Sequence, residues 1–366
     1  MFLTNNSILH LQAEVQMVIF ENDFLNNITT HNLKPTISIV VAIFNRKDEL
    51  FELLNSLNSQ TDKDFEVIIV DDGSLIDLKP TIHQFEEILN IKYFKKTNSG
   101  PGLSRNYGAK RAANDWLVFV DSDVIVEKDY IENIKNDILT IPCDAFGGAD
   151  KAHKGFNLMQ KAISYSMTSV FTTGGIRGNK KAVSKFQPRS FNMGVKKEVF
   201  EKVGGFSEMR IGEDPDLSMT LWENGFTTAF FDDIAVYHKR RVDFGKFSKQ
   251  VYQFGCARPI LNQRHPNYVK ISFAFPTLFL LGYVLGFIEY FILGKGFVLS
   301  LFGLYTFMVI IHALIVTKNI AITGMAVIST YIQMFSYGYG FLKSWILLNV
   351  LKMKPEDAFP KHFHKN

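Results

Sequence analysis

An apolar run, Trp116-Leu-Val-Phe-Val, stops abruptly at Asp121-Ser122-Asp123. A buried strand that ends in acids delivers oxygen ligands to the carboxyl edge of a parallel sheet, where open α/β sheets bind their ligands. Alternate residues of an extended strand point the same way, so Asp121 and Asp123 can converge on one ion while Ser122 faces away. Hard cations such as Mg2+ or Mn2+ take carboxylate oxygen and share their remaining positions with substrate phosphate. The chemistry expected of the pair is therefore to hold a metal-bound diphosphate. Taken alone, the same three residues also describe a solvated turn.

Other groups of reactive type recur along the chain. Phe65 to Ser74 is a second apolar run that ends in paired acids, Asp71-Asp72, followed by the turn-forming Gly73. Asn98 to Gly108 is a glycine-rich loop entering a helix that carries Arg105, where a guanidinium can grip phosphate or simply face solvent. Glu213-Asp214-Pro215 reads as a helix start: Asp is a favoured N-cap, Pro suits the first helical position, Leu217 and Leu221 share a face, and Gly225 closes the far end. A carboxylate so placed is rigid, and a catalytic role is compatible with a capping one. Asn192 and Gly194 interrupt the pattern before Val195 to Val203, either as a pocket wall or as a turn. His238 follows the strand-like run Ile234 to Tyr237 and precedes the basic Lys239-Arg240-Arg241; it is either a ligand or a surface histidine.

The elements that must position these groups alternate. Thr36 to Asn45 is a β-branched strand, and Arg46 to Gln60 places Leu50, Leu53, Leu54 and Leu57 at helical spacing. A helix-like stretch at Thr81 to Leu89 and a short strand at Ile91 to Phe94 come next, ahead of the glycine loop and its helix. Strand and helix in alternation predict a Rossmann-like, mostly parallel, doubly wound sheet. No Gly-x-Gly-x-x-Gly follows the first strand, which argues against a dinucleotide dehydrogenase.

Taken together, Asn45, the Val70-Asp71-Asp72-Gly73-Ser74 block, Gly100 to Gly108 with Arg105-Asn106, Asp121-Ser122-Asp123, Arg189 to Gly194, Val203 to Phe206, Gly212-Glu213-Asp214 and Val236-Tyr237-His238 resemble the family 2 glycosyltransferases of GT-A fold. The resemblance runs in family order over about residues 36 to 240, and it departs at Ala42, where many members carry proline. It implies a nucleotide-diphosphate sugar donor, with Asn45, Asp71, Asp72, Arg105, Asp121 and Asn192 on the donor side. It further implies Asp121, Asp123 and His238 as metal ligands, and Asp214 as the catalytic base with Glu213 as its alternative. A sugar hydroxyl is a poor nucleophile until a base takes its proton, and the leaving diphosphate needs its growing charge neutralised. Mn2+ or Mg2+ is the expected cofactor, with a lean to manganese because imidazole suits it better.

After residue 240 the composition changes. Residues 244 to 264 form a basic, amphipathic stretch of the kind that lies at a membrane surface. Ile271 to Leu293 carries a single charge, Glu289, while Gly296 to Val316 and Ile320 to Leu342 carry none, and each reaches the roughly 20 residues that cross a bilayer. Lys352, Lys354, Lys361 and Lys365 follow. With a cytosolic catalytic domain the positive-inside tendency favours two full spans over three, leaving the last apolar segment re-entrant or interfacial. The expected layout is an extension over 1–34, a catalytic domain over 35–243, an interfacial helix over 244–270, membrane helices over 271–351 and a basic tail over 352–366.

Composition fits that layout. The chain has 366 residues, 47% of them hydrophobic, with a mean hydropathy of +0.04, between the soluble and integral-membrane ranges. Forty basic against 36 acidic residues give a net charge of +4, too mild to imply nucleic acid as a partner. Cys143 and Cys256 supply neither a disulfide framework nor zinc spacing, and no secretory signal is evident in the first 34 residues. The expectation is a metal-dependent, inverting, membrane-attached enzyme acting on a glycan or lipid-linked acceptor in cell-surface polysaccharide or glycoconjugate synthesis, with a UDP-linked donor. A processive synthase is the alternative within the class, although no Gln-x-x-Arg-Trp is present. A noncatalytic nucleotide-sugar-binding scaffold is the alternative outside it.

Overall fold

The computed structural model describes residues 34–151, 156–173, 186–238 and 243–364. The expected extension up to residue 33, the basic cluster after His238, and the His238 side chain lie outside the described residues.

The first strand, β1 (Ile37–Ile43), sits between two parallel neighbours, β2 (Glu66–Asp71) and β4 (Trp116–Asp121), and β3 (Asn90–Lys95) extends the parallel set beyond β2. Such strands are covered on both faces and read as unbroken apolar runs. Accordingly Ile39, Val41, Val67, Ile69, Val118 and Val120 point into one core, while Val40, Ile68, Val70, Leu117 and Phe119 point into another. The first core is closed by Leu50, Leu53, Leu54 and Leu57 of α1 (Lys47–Asn58). In place of the expected helix over Thr81 to Leu89 there is one turn, α2 (Lys79–Ile82), followed by hydrogen-bonded turns.

The second core is closed by α3 (Pro101–Ala109), which sits unusually close to the sheet: a Cβ on Gly108 would come within 2.6 Å of Val40. Beyond β4 the chain adds β5 (Val124–Val126), α4 (Tyr130–Thr140), β6 (Ala145–Lys151), α5 (Leu158–Thr168), α6 (Val170–Thr173), β7 (Asn192–Lys196), α7 (Lys197–Lys202), α8 (Glu213–Glu223) and β8 (Thr228–His238). The eight-stranded sheet runs β3-β2-β1-β4-β7-β6-β8-β5, with β7 antiparallel to both β4 and β6. Register fixes the functional edge. Ile43 lies opposite Asp71 and Ala42 opposite Asp121, so both acidic strand ends finish level with the end of β1.

The amphipathic stretch forms α9 (Phe244–Arg264), but its apolar side is not left for lipid. Phe247, Val251, Gly255, Cys256 and Ile260 are buried, and much of that surface is covered by the last long helix, α12 (Ile320–Trp345). Contacts pair Ser248 with Ser336 and the Cys256 carbonyl with Ser344, so the two helices run parallel in step. Small residues permit the approach: a Cβ on Gly255 would meet the Tyr337 carbonyl at 2.3 Å, and one on Gly340 the Tyr252 carbonyl at 2.4 Å.

Between them lies a hairpin, α10 (Phe275–Leu293) and α11 (Phe297–Thr317). Its end is bare: beside the Gly294-Lys295-Gly296 turn, Phe291 and Ile292 are 76% and 73% exposed. The three C-terminal apolar helices are each long and apolar enough to cross a membrane. They meet at an aromatic cluster formed by Phe279, Tyr283, Phe302, Tyr305, Tyr331 and Phe335.

Candidate active site

Asp121 closes β4, and Asp123 lies in the turn that leads to β5. Each is met by a different arginine. Arg105, on α3, donates from Nη2 to Asp121 Oδ1 at 2.7 Å, and Arg46, just ahead of α1, donates from Nη1 to Asp123 Oδ2. The second guanidinium nitrogen of Arg105 lies 3.3 Å from Glu213 Oε1 at the start of α8. One buried cation, 4% exposed, therefore ties the end of β4 to the first turn of α8. Such charge-assisted pairs are among the stronger polar contacts in a protein.

The first turn of α8 differs from the expected cap. The helix begins at Glu213 after Gly212, whose φ of 88° is a left-handed conformation that glycine tolerates without strain. Asp214 is thus the second helical residue and Pro215 the third, and no side chain caps the helix. Freed from capping, the carboxylates are set by their surroundings. Burial, with Asp214 beside it, pushes the Glu213 carboxyl up to about 7 against the pull of Arg105. Burial likewise raises Asp214, opposed by Arg189 and Arg105. A carboxylate displaced toward operating pH is what general base catalysis requires.

The remaining predicted residues brace the edge. Asp71 is fully buried, accepting from the Ser74 N–H at 2.7 Å and the Tyr93 hydroxyl at 2.8 Å. Asp72 gathers Lys96 Nζ at 2.6 Å and the backbone N–H groups of Ser99 and Gly100 at 2.8 and 2.7 Å, which holds the glycine loop against β2. Asn45, at a φ of 55°, donates its N–H to Ser74 Oγ and accepts from Leu75 N–H at 2.7 Å, so it pins one edge loop to the next. Asn192 is 1% exposed at the start of β7, accepting from the Tyr130 hydroxyl at 2.7 Å and donating to the Ile234 carbonyl at 2.6 Å. It sits behind the opening as a cross-sheet strut.

His238 ends β8, and its backbone pairs with Val124, the residue after Asp123. Among the described residues no three His, Cys, Asp or Glu side chains form a metal-holding group. Asp121 and Asp123 nevertheless fit a hard divalent cation: both are carboxylates at one turn, 31% and 13% exposed, and such an ion completes its shell with water and substrate phosphate.

Arg46 and the tail contacts described below escape sequence reasoning. Arg46 meets an acid 77 residues away, and before a helix its charge reads as solvated. Behind the site, Asp216 is paired with Arg264 at 2.8 Å and with His265 at 3.0 Å, and His265 also meets Glu223 at 2.9 Å.

A mostly parallel mixed sheet with acids at its carboxyl edge and a rigid carboxylate helix facing them forms a GT-A-like domain. The mannosyltransferase PcManGT from Pyrobaculum calidifontis, solved with GDP-Man and Mn2+, shares this fold at a TM-score of 0.56 and 14% identity, over 85% of this chain and 88% of that one. The glycosyl transferase family 2 model matches residues 38–204 of the chain.

An uncharacterized glycosyltransferase of Haemophilus influenzae is 33% identical over 200 residues, 52% of this chain and 64% of the relative. The poly(ribitol-phosphate) beta-N-acetylglucosaminyltransferase TarS of Staphylococcus aureus is 30% identical over 162 residues, 39% of this chain and 28% of TarS. An uncharacterized glycosyltransferase of Rickettsia conorii is 38% identical over 111 residues, and the chain spans only 18% of its length.

Proposed function

We propose that the protein is a metal-dependent, inverting glycosyltransferase that moves a sugar from a nucleotide-diphosphate donor, UDP-linked, to a glycan or lipid-linked acceptor. The observation that carries this reading is the Arg105 bridge, which brings the acid that ends β4 together with the acids that open α8. Asp121 and Asp123 are the groups that would hold Mn2+ or Mg2+, with His238 the further candidate from its place beside Val124. Bound there, the ion supplies neutralisation of the charge that grows on the leaving diphosphate. Asp214 takes the proton of the acceptor hydroxyl, and that hydroxyl attacks the anomeric carbon from the face opposite the diphosphate. Glu213, already engaged by Arg105, holds the guanidinium in place and is the alternative base.

Membrane attachment is part of this reading, and the bare α10–α11 hairpin supports it. An even number of crossings accords with α10 leaving from the catalytic domain and the segment after α12 returning to it, with the His364 N–H on the Glu208 carbonyl. In this reading the hairpin is the crossing pair. Helix α12, lined by α9 and by α5 through Ala162 and Ser329, stays against the protein on the cytosolic face. A role in cell-surface polysaccharide or glycoconjugate synthesis accords with this placement.

The test is a panel of nucleotide sugars offered to the purified full-length protein, with and without acceptor, reading metal-dependent release of nucleoside diphosphate. One preferred donor, consumed faster with acceptor and silenced by chelation, is the expected result. Turnover that survives full chelation would remove the metal from the mechanism, and no turnover with any donor would remove the enzyme reading.

A further inference from the structure

The chain does not drift away after α12. It forms a short helix, α13 (Pro355–Ala358), and then runs back across the catalytic domain. Phe359 and Phe363, 7% and 5% exposed, are buried in a cluster with Met209, Met219, Ile260, Leu261 and Leu348. The Arg210 N–H donates to the His362 carbonyl at 2.7 Å, the His364 N–H donates to the Glu208 carbonyl at 2.9 Å, and Met209 pairs with Phe363. The tail thus zips onto residues 208–210, immediately before the carboxylate turn at Gly212.

This zipper delivers the His364 ring onto the glycine loop. Gly100 has a φ of 89°, and a Cβ there would lie 2.0 Å from His364 Cε1 and 2.8 Å from Nδ1, so the ring occupies the space that any other residue type would fill. The N–H of the same Gly100 is held by Asp72, and Gly100 opens α3, the helix that carries Arg105. His364 Nε2 is buried with no hydrogen-bond partner among the described residues. Burial first, and then the nearby Arg210, lowers the pKa of this imidazole, which keeps it neutral, with one N–H donor and one acceptor nitrogen.

A strap whose only task was to pack would gain nothing from a buried polar atom left unmatched, because such atoms cost stability. Phe359 and Phe363 already supply the apolar anchoring. A neutral imidazole held at a glycine loop, with one nitrogen unused, is instead suited to a polar group arriving from outside.

We propose that the tail segment Phe359–His364 is a wall of the donor pocket and that His364 Nε2 hydrogen-bonds the nucleoside-diphosphate portion of the donor. This inference rests on the donor reading above and deepens it. The donor site is then completed by residues from the far end of the chain, beyond the membrane hairpin.

Calorimetry on the full-length protein in detergent, with UDP and Mn2+ and with GDP as second probe, tests it. His364→Ala should weaken nucleoside diphosphate binding by about 5–10-fold, the loss of one hydrogen bond in a closed site. His364→Gln, whose amide reaches the Nε2 position, should stay within about twofold of wild type, whereas His364→Asn, whose amide reaches only Nδ1, should resemble Ala. Thermal unfolding of each variant checks that the tail still docks. Unchanged affinity in His364→Ala, or an equal loss in His364→Gln, overturns the inference while leaving the donor reading intact. Wild-type protein that binds neither nucleotide overturns the donor reading and this inference with it.

Discussion

Replacing Arg105 with methionine keeps the volume and removes the one charge shared by Asp121 and Glu213. Breaking a buried ion pair costs ~3–5 kcal/mol, and because Asp121 is 31% exposed that figure is discounted for solvent screening to ~2–3 kcal/mol. For a domain of this size the loss corresponds to ~5–10 °C in Tm. Its pH dependence is the sharper readout. Glu213 and Asp214 already titrate above their ordinary values, and each loses a stabilising cation when Arg105 is removed, so both rise further. An acid whose folded pKa exceeds its unfolded pKa destabilises the fold as pH rises between the two, and the substitution widens that window upward.

The Arg105→Met deficit should therefore be small near pH ~4.5 and largest above neutrality. Thermal unfolding in detergent at mildly acidic and mildly alkaline pH measures it directly. The acidic limb of the kcat/KM profile should move to higher pH in the same variant, because the base becomes harder to ionise. Equal Tm losses at both pH values, or an unmoved limb, would refute the view that Arg105 sets the charge state of the α8 carboxylates.

Three further outcomes are expected. Asp214→Asn keeps the size and the helix start but removes the proton acceptor, so donor binding should persist while turnover falls by at least ~10²-fold; near-normal turnover would pass the role to Glu213. Asp123→Ala should abolish the Mn2+-dependent part of nucleoside diphosphate binding in calorimetry and leave the metal-independent part, an outcome contradicted by an unchanged Mn2+ effect. His265 is lowered by burial but raised overall by its bonds to Asp216 and Glu223, so its contribution to stability is complete below its unfolded value and fades as pH rises through the folded one. Accordingly, His265→Gln should cost more Tm at about pH 6 than at about pH 9, and a pH-independent loss would count against a charged His265.

Much of this was legible in the chain because the parallel strands bury both faces and so write themselves as unbroken runs ending in acids. Asp71 and Asp121 could be placed at one edge from the runs alone, and register put them level with the end of β1. The start of α8 misled, since Asp-Pro imitates a cap while the turn is made by the left-handed Gly212. For Asn192, read as a pocket wall or a turn, the bonds to Tyr130 and Ile234, distant in sequence, had no local signature. The apolar stripe of α9 suits a bilayer and a partner helix equally, so its burial against α12 had no local signature. The return of the tail was hidden for the same reason, although Phe359 and Phe363 are out of place in a segment otherwise largely polar and charged.

The seam between α9 and α12 has a mechanical meaning. Contacts that keep a constant separation of 88 residues along both helices, with backbones touching at Gly255 and Gly340, leave neither sliding nor hinging as an easy motion. Since α9 continues toward the Arg264 and His265 clasp on α8, the carboxylate turn is carried on a stiff mast rooted beside the α10–α11 hairpin. On the proposed membrane attachment, its height above a bilayer would be a fixed length, and an acceptor would be selected partly by whether its hydroxyl stands at that elevation. For a lipid-linked acceptor of the kind proposed, spacer length between lipid and sugar would then be a determinant of substrate choice, read as a ruler reads distance.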